Sequence, residues 1–204
     1  MLATRATDNV SVVAFCNLVG GQDELVFEGR SVVIDARGEV VARGAQFRED
    51  LIIADVDVRR VFRRRLHDPR RRKTPVVPVS RVELPAVAPR RPGDMGARAD
   101  IADRTVRPLP RLDEIYGALS LGLTDYVGKN GFERVVLGLS GGIDSALTAC
   151  IAADALGPDS VTGVAMPSRY SADFSEDDAA RLASNLGIGF LVIPIERVFK
   201  AYLE

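Results

Sequence analysis

The chain has 204 residues and a mass of 22.0 kDa, and its 47% hydrophobic and 27% charged content is globular, with room for one ordinary domain or two small ones. Two Cys, one His and no Trp exclude a disulfide scaffold, a zinc ribbon and a His-rich metal site. The net charge of −1 hides strong segmentation: −5 over residues 1–58, +10 over 59–92, zero over 93–110 and −6 over 111–204.

Residues 1–58 read as sheet. Asn9–Cys16 is an apolar, β-branched run that predicts a buried strand, with Cys16 as a packed thiol, and a turn is expected at Gly20-Gly21. Ser31–Ile34 and Glu39–Ala42 flank Asp35-Ala-Arg-Gly38, a turn with Gly where a left-handed residue is needed, so a hairpin is predicted there. Leu51–Val56 predicts a further strand. Four strands without a covering helix cannot bury both faces of a sheet, so this piece reads as the tail of a larger domain.

Residues 59–110 read as a connector. The basic stretch holds more than half of the chain's 11 prolines, and such a stretch has too little apolar surface to offset its ordering entropy. Much of 70–105 is expected to be irregular, with any helix confined to 58–67. His67 has no second ligand near it in sequence and reads as solvated.

Residues 111–204 alternate between elements. Leu112, Ile115, Tyr116, Leu119, Leu123 and Tyr126 recur at helical spacing, predicting a helix over 112–129 with Asp113 and Glu114 at its positive end. A strand buried on both faces follows at 134–139, then a helix over 145–156, a strand at 161–166, a helix over 175–186 closed by Gly187, and a strand at 189–194. Cys150 lies among Ala and Ile of the second helix and reads as packed. The predicted fold class is α/β, a truncated doubly wound parallel sheet, in which ligands sit at the carboxyl ends of the strands.

At the carboxyl end of the first of these strands stands Gly138-Leu139-Ser140-Gly141-Gly142-Ile143-Asp144-Ser145. Paired glycines let the backbone turn sharply and offer N–H groups to an anion, a helix starting at Asp144 or Ser145 adds its positive end, and Ser140 and Ser145 supply hydroxyls. The pattern is neither a Walker loop nor GxGxxG. Asp144 beside a polyphosphate would be repelled unless a divalent cation stood between them, so Asp144 is the candidate Mg²⁺ ligand. The plainer alternative is a tight turn with Asp144 as a helix N-cap.

Ser-Gly-Gly-x-Asp-Ser after an apolar strand resembles the pyrophosphate loop of the N-type ATP pyrophosphatases, which include NAD, GMP, asparagine and argininosuccinate synthetases and tRNA-thiolating enzymes. Leu137–Leu147, followed by Met166-Pro-Ser-Arg-Tyr-Ser171 and the Asp177-Asp178-Ala179 helix, resembles NAD synthetases within that group. Separately, Asn17–Ser31 with Gly20-Gly-Gln-Asp-Glu-Leu25 resembles the late strands of the nitrilase-like glutaminase domain of glutamine-dependent NAD synthetases. The resemblance divides the chain into the end of a glutaminase domain (1–58), a basic Pro-rich linker (59–110) and the start of a synthetase domain with an adenine nucleotide alpha hydrolase-like sheet (111–204).

The resemblance implies ATP-dependent amidation of deamido-NAD to NAD through an adenylated intermediate, with ammonia from glutamine. It implies ATP contacts at Gly138, Leu139, Ser140, Gly141, Gly142, Ile143, Asp144, Ser145, Met166, Ser168 and Arg169, with Mg²⁺ on Asp144. Met166 is equally readable as a strand-end core residue, and Arg169 as a solvated loop charge. The glutaminase Glu, Lys and Cys of the family fall upstream of the Gly-Gly-Gln-Asp-Glu-Leu stretch, so no catalytic residue of that half is expected within the chain, and Asp23 and Glu24 read as turn formers. The chain reads as an internal slice of a longer polypeptide whose parent is expected to be a homo-oligomer.

Two other readings compete. Another adenylating ligase of the same loop family, such as a tRNA-thiolating enzyme, would be expected to bring cysteine pairs or a different glutaminase. A nucleic-acid binder would use the basic stretch, yet Phe62 is its sole aromatic residue, so no stacking platform exists and no specific nucleic acid is expected. No run approaches a membrane span and the N-terminus has no apolar signal core, so a soluble, cytoplasmic protein is expected.

Overall fold

The computed structural model describes residues 1–69, 80, 82–83, 104–168 and 175–203. In chain order its elements are α1 (Leu2–Asn9), β1 (Val13–Phe15), β2 (Val19–Gln22), β3 (Leu25–Glu28), β4 (Val32–Ile34), β5 (Val40–Arg43), α2 (Val58–His67), α3 (Arg111–Lys129), β6 (Val135–Gly138), α4 (Ile143–Leu156), β7 (Val161–Ala165), α5 (Ser175–Leu186), β8 (Gly189–Val192) and α6 (Glu196–Leu203). They fall into two compact units, one of residues 1–16, 30–45 and 50–107, the other of 17–29, 46–49 and 108–204.

In the first unit β1, β4 and β5 form an antiparallel sheet in that order, with Ala14 opposite Val33 and Val33 opposite Ala42. The β4–β5 turn forms where predicted: Asp35 Oδ1 accepts from the N–H groups of Arg37 at 2.8 Å and Glu39 at 3.0 Å, and Gly38 takes φ +86°. Helix α1 packs on this sheet, with Ala6 fully buried and Val10 ending the helix in a left-handed conformation. The expected strand over Asn9–Cys16 is therefore half helix end, and Cys16 is exposed rather than packed.

The strand expected at Leu51–Val56 does not form. A strand needs a partner edge, and the free edge of β5 is taken by residues 104–106, where the N–H of Arg43 donates to the Arg104 carbonyl and the N–H of Val106 to the Arg43 carbonyl, both at 3.0 Å. The Arg104 guanidinium fixes that pairing by reaching Asp50 at 2.8 Å and the Leu51 carbonyl at 3.0 Å. Helix α2 matches the 58–67 expectation, capped by Asp57, whose carboxylate accepts from the Arg60 N–H at 3.0 Å. The irregularity expected of 70–105 concerns a stretch that lies mostly outside the described residues.

The second unit holds the hairpin β2–β3 and the parallel sheet β6-β7-β8. Gly20 and Gly21 sit inside β2 and the turn is made by Asp23 and Glu24, with Asp23 at φ +51°; the turn thus falls three residues after the expected one. The glycines serve close approach instead: a Cβ on Gly21 would lie 3.2 Å from the Gly122 Cα of α3. Gly117 plays the complementary part on α3, since a Cβ there would lie 2.7 Å from the Phe47 ring.

The parallel sheet pairs Val136 with Thr162 and Gly163 with Phe190, giving the βαβαβ order of one half of a doubly wound sheet. Its core is Leu139, Val161 and Ile188 against Ala149, Ala152 and Ala153 of α4 and Ala179 and Ala183 of α5. Small helix residues let both helices approach the strands closely. The opposite face is open among the described residues, with Val136 71% and Leu191 54% exposed, so the expectation that 134–139 is buried on both faces is corrected. Helix α6 was not predicted.

Candidate functional site

Strand β6 ends at Gly138 and α4 begins at Ile143, so the turn between strand and helix is Leu139-Ser140-Gly141-Gly142. Gly141 takes φ +77°, and a Cβ on it would stand 2.5 Å from the carbonyl oxygen of Ser175 and 2.8 Å from its Cα. Only glycine allows both that left-handed backbone and the approach of the α5 start. Gly142 is the N-cap and brings no side chain, so the first N–H groups of α4 are left open by the cap. The helix starts earlier than the expected Asp144 or Ser145. Asp144 is consequently an exposed residue of the first turn, not the N-cap that the plainer alternative required.

The two serine hydroxyls close the loop on itself. Ser145 Oγ donates to the Gly142 carbonyl at 2.9 Å and lies 3.1 Å from Ser140 Oγ. It also accepts from the Ser140 N–H at 3.3 Å, while Ser140 Oγ accepts from the Gly142 N–H at 3.3 Å. Both hydroxyls therefore shape the loop, and the anion-binding capacity falls on the α4 backbone N–H groups with the helix's positive end behind them.

A cavity of about 230 Å³ adjoins the loop, lined by Gly138, Leu139, Ser140, Ala165, Met166, Pro167, Ser175 and Glu176. Met166 is 51% exposed, so of its two readings the core one is not what the structure shows. Its Cε lies 3.4 Å from where a Gly138 Cβ would stand, an ordinary van der Waals distance, so the thioether lies beside Gly138 at the end of β6. The Leu139 side chain is in the core and its N–H donates to the Val164 carbonyl at 2.8 Å, which leaves Leu139 only its carbonyl and its backbone surface to offer a ligand. Ile143 is 81% exposed beyond the loop. Ser168 follows the cavity wall without lining it, and Arg169 lies outside the described residues. Sequence reasoning missed Ala165, Ser175 and Glu176; the signal for the last two was their place at the start of the helix that Gly141 admits.

Among the described residues no three His, Cys, Asp or Glu side chains gather to cage a metal ion. Mg²⁺ keeps its waters and is held by one or two carboxylates together with substrate phosphates, so a single carboxylate beside the loop is the protein donor it would require. Asp144 is the carboxylate available in the loop.

A family model described as NAD synthase matches residues 115–204, and one described as carbon-nitrogen hydrolase matches residues 1–65. Glutamine-dependent NAD(+) synthetases of Thermotoga maritima and Aquifex aeolicus are 49% and 48% identical over all of this chain, which spans 34% and 35% of their lengths. A structure of glutamine-dependent NAD+ synthetase from Acinetobacter baumannii in complex with adenosine diphosphate superposes with a TM-score of 0.72 at 33% identity, over 99% of this chain and 31% of that one. Over its whole length the chain is similar to part of glutamine-dependent NAD(+) synthetases.

It corresponds to a segment about a third of the length of these relatives. The two matched regions follow one another in the order of the two resemblances read from Gly20–Leu25 and Ser140–Ser145, so the α/β class of both pieces holds. Among the described residues no helix is long and apolar enough to cross a membrane.

Proposed function

We propose that residues 111–204 are the ATP-binding start of a synthetase that amidates deamido-NAD to NAD through an adenylated intermediate. Residues 1–58 form the end of the glutaminase domain that supplies ammonia from glutamine, and 59–110 connect the two. The observation that carries this reading is that the glycine loop and the cavity share Ser140 at the carboxyl end of β6, where a parallel sheet presents its ligands.

In this reading the N–H groups at the start of α4 hold the ATP phosphates, Gly138, Met166, Ser168 and the cavity take the nucleoside, and Arg169 offers its charge to the polyphosphate. Asp144 would hold Mg²⁺, which would supply neutralisation of the phosphate charge. The loop's own work is to fix the polyphosphate so that the α-phosphorus of ATP faces the carboxylate that attacks it, with pyrophosphate as the leaving group. Neither Cys16 nor Cys150 has a role in the glutaminase half. The parent enzyme is read as cytoplasmic and homo-oligomeric.

Calorimetric titration of the chain with ATP, with and without Mg²⁺, tests the reading. ATP should bind, more tightly with Mg²⁺, and Asp144→Asn should abolish the Mg²⁺ effect while leaving the far-ultraviolet circular dichroism unchanged. Absence of ATP binding in the folded chain would overturn the nucleotide reading. A Mg²⁺ effect that survives Asp144→Asn would overturn the metal assignment alone.

A further inference from the structure

We infer that Glu176 reads the ribose hydroxyls of the nucleotide and makes the site selective for ribonucleotides over deoxyribonucleotides; this rests on the ATP reading above. Among the described residues that line the cavity, Glu176 is the sole ionisable side chain. It stands in the first turn of α5, one residue after Ser175, whose backbone abuts Gly141 of the loop. Its place along a bound nucleotide follows from that contact. Phosphates gather at the loop and the start of α4. The walls made by Ala165, Met166 and Pro167 are apolar and suit the flat base. Glu176, adjacent to the residue that touches the loop, falls between the two, where the sugar must lie.

The chemistry of the carboxylate narrows the choice further. An ionised carboxylate only accepts hydrogen bonds, and it repels phosphate. A vicinal diol offers two O–H donors side by side, matching the two carboxylate oxygens in the charge-assisted geometry that gives the strongest neutral-to-ion hydrogen bonds. Ser140 does not compete for the role, because its hydroxyl is engaged with Ser145 and with the Gly142 N–H. A sugar that lacks one hydroxyl leaves a carboxylate oxygen without its donor in a cavity whose other walls are largely apolar, and that loss costs affinity.

The test is calorimetric titration of the chain with ATP, 2′-deoxy-ATP and 3′-deoxy-ATP in Mg²⁺, for the wild type, Glu176→Gln and Glu176→Ala. The wild type should bind ATP about tenfold more tightly than either deoxynucleotide, the size expected for one hydrogen bond to a charged group. Glu176→Ala should bind all three equally, with deoxynucleotide affinity no weaker than in the wild type, and Glu176→Gln should keep part of the preference. A preference that persists in Glu176→Ala, or a wild type that does not discriminate, overturns the ribose assignment while leaving ATP binding in place. A chain that binds no nucleotide overturns the ATP reading and this inference with it.

Discussion

The backbone N–H of Gly21 donates to Asp125 Oδ2 at 2.7 Å, joining the hairpin β2–β3 to helix α3 across 104 positions of sequence. Lys129 completes the junction from the next turn of the helix, donating to the same carboxylate oxygen at 2.9 Å and to the Gly21 carbonyl at 2.5 Å. Both polar groups of one glycine are thus satisfied by a single i,i+4 ion pair. The hairpin lies in the region matched by the carbon-nitrogen hydrolase model and most of the helix in the region matched by the NAD synthase model, yet both lie in one compact unit. The helix in turn meets α4, which begins at the glycine loop, through Tyr116 donating to Asp154 at 2.5 Å and Thr124 donating to the Ala155 carbonyl at 3.0 Å.

Removing the carboxylate should loosen the hairpin selectively. Asp125→Ala leaves the Gly21 N–H without its acceptor and Lys129 without its partner, a loss of about 1 kcal/mol after allowance for solvent screening. Hydrogen exchange read residue by residue should show faster exchange in 19–28 and little change in α4. Equal acceleration in both elements would mean that the junction supports the whole unit rather than the hairpin.

The same junction should respond to acid. The hydrogen bond from Lys129, followed by that from the Gly21 N–H, holds the Asp125 carboxyl below the usual carboxylate range. A group whose pKa is depressed by folding contributes stability that is present above its unfolded value and is lost as the pH falls through its folded one. Hairpin protection should therefore be flat above about pH 5 and decline below about pH 4. In Asp125→Asn that decline should be absent; if it is unchanged, other carboxylates govern the acid limit.

How much of this was legible in the sequence depended on whether local pattern and tertiary contact agreed. Ser175–Leu186 was predicted with the observed bounds because acidic residues mark its start and Gly187 its end. The strand after it was placed from its apolar run alone, and the run continues past β8 to Ile195, which is why 189–194 was drawn too long and α6 missed. Glycine pairs usually punctuate, so Gly20-Gly21 reads locally as a turn. What they answer is the surface of α3, a helix nearly 100 residues away that no local window contains. Leu51–Val56 has strand composition, but the edge of β5 that it would need is occupied by residues 104–106. At the site, Ser140–Ser145 was legible because turn, hydroxyls and acid are contiguous. Glu176 was not, because what brings it to the cavity is the packing of Ser175 on Gly141.

Tyr116 supplies a second titration with the opposite sign. Its hydroxyl donates to Asp154, and that hydrogen bond, with desolvation and the Asp154 charge, raises the phenol from 10.0 to about 12. Folding favours the protonated phenol, so this stability is complete below about pH 10 and fades as the pH rises toward the folded value. In a spectrophotometric titration of the native chain one tyrosine should ionise later than it does in denaturant. Tyr116→Phe should remove that late step and cost about 0.5 kcal/mol in urea unfolding, the low end for a solvent-accessible hydrogen bond. A late step that survives the substitution belongs to another tyrosine.

Gly141 and Gly157 form a matched pair for separating backbone strain from collision. Both adopt positive φ, +77° and +82°, but a Cβ on Gly157 meets nothing within 4 Å, whereas one on Gly141 would strike the Ser175 backbone at 2.5 to 2.8 Å. Alanine at 157, where φ +82° and ψ +146° lie in backbone space essentially reserved for glycine, should cost about 1 to 3 kcal/mol with no collision. Alanine at 141 carries the strain of its own positive φ, about 1 to 2 kcal/mol, and must also push the start of α5 away from the loop, adding about 1 to 3 kcal/mol of the kind seen when a packed site is overfilled. Because that displacement moves Ser175 and Glu176 out of the cavity wall, Gly141→Ala should also weaken ATP binding, and Gly157→Ala should leave it unchanged. Urea unfolding and ATP titration of both variants decide the matter: a loss at 141 no larger than about 1 to 2 kcal/mol, what positive φ alone explains, would show that α5 yields without cost, and unimpaired ATP binding in Gly141→Ala would show that the approach of α5 to the loop is not needed to form the site.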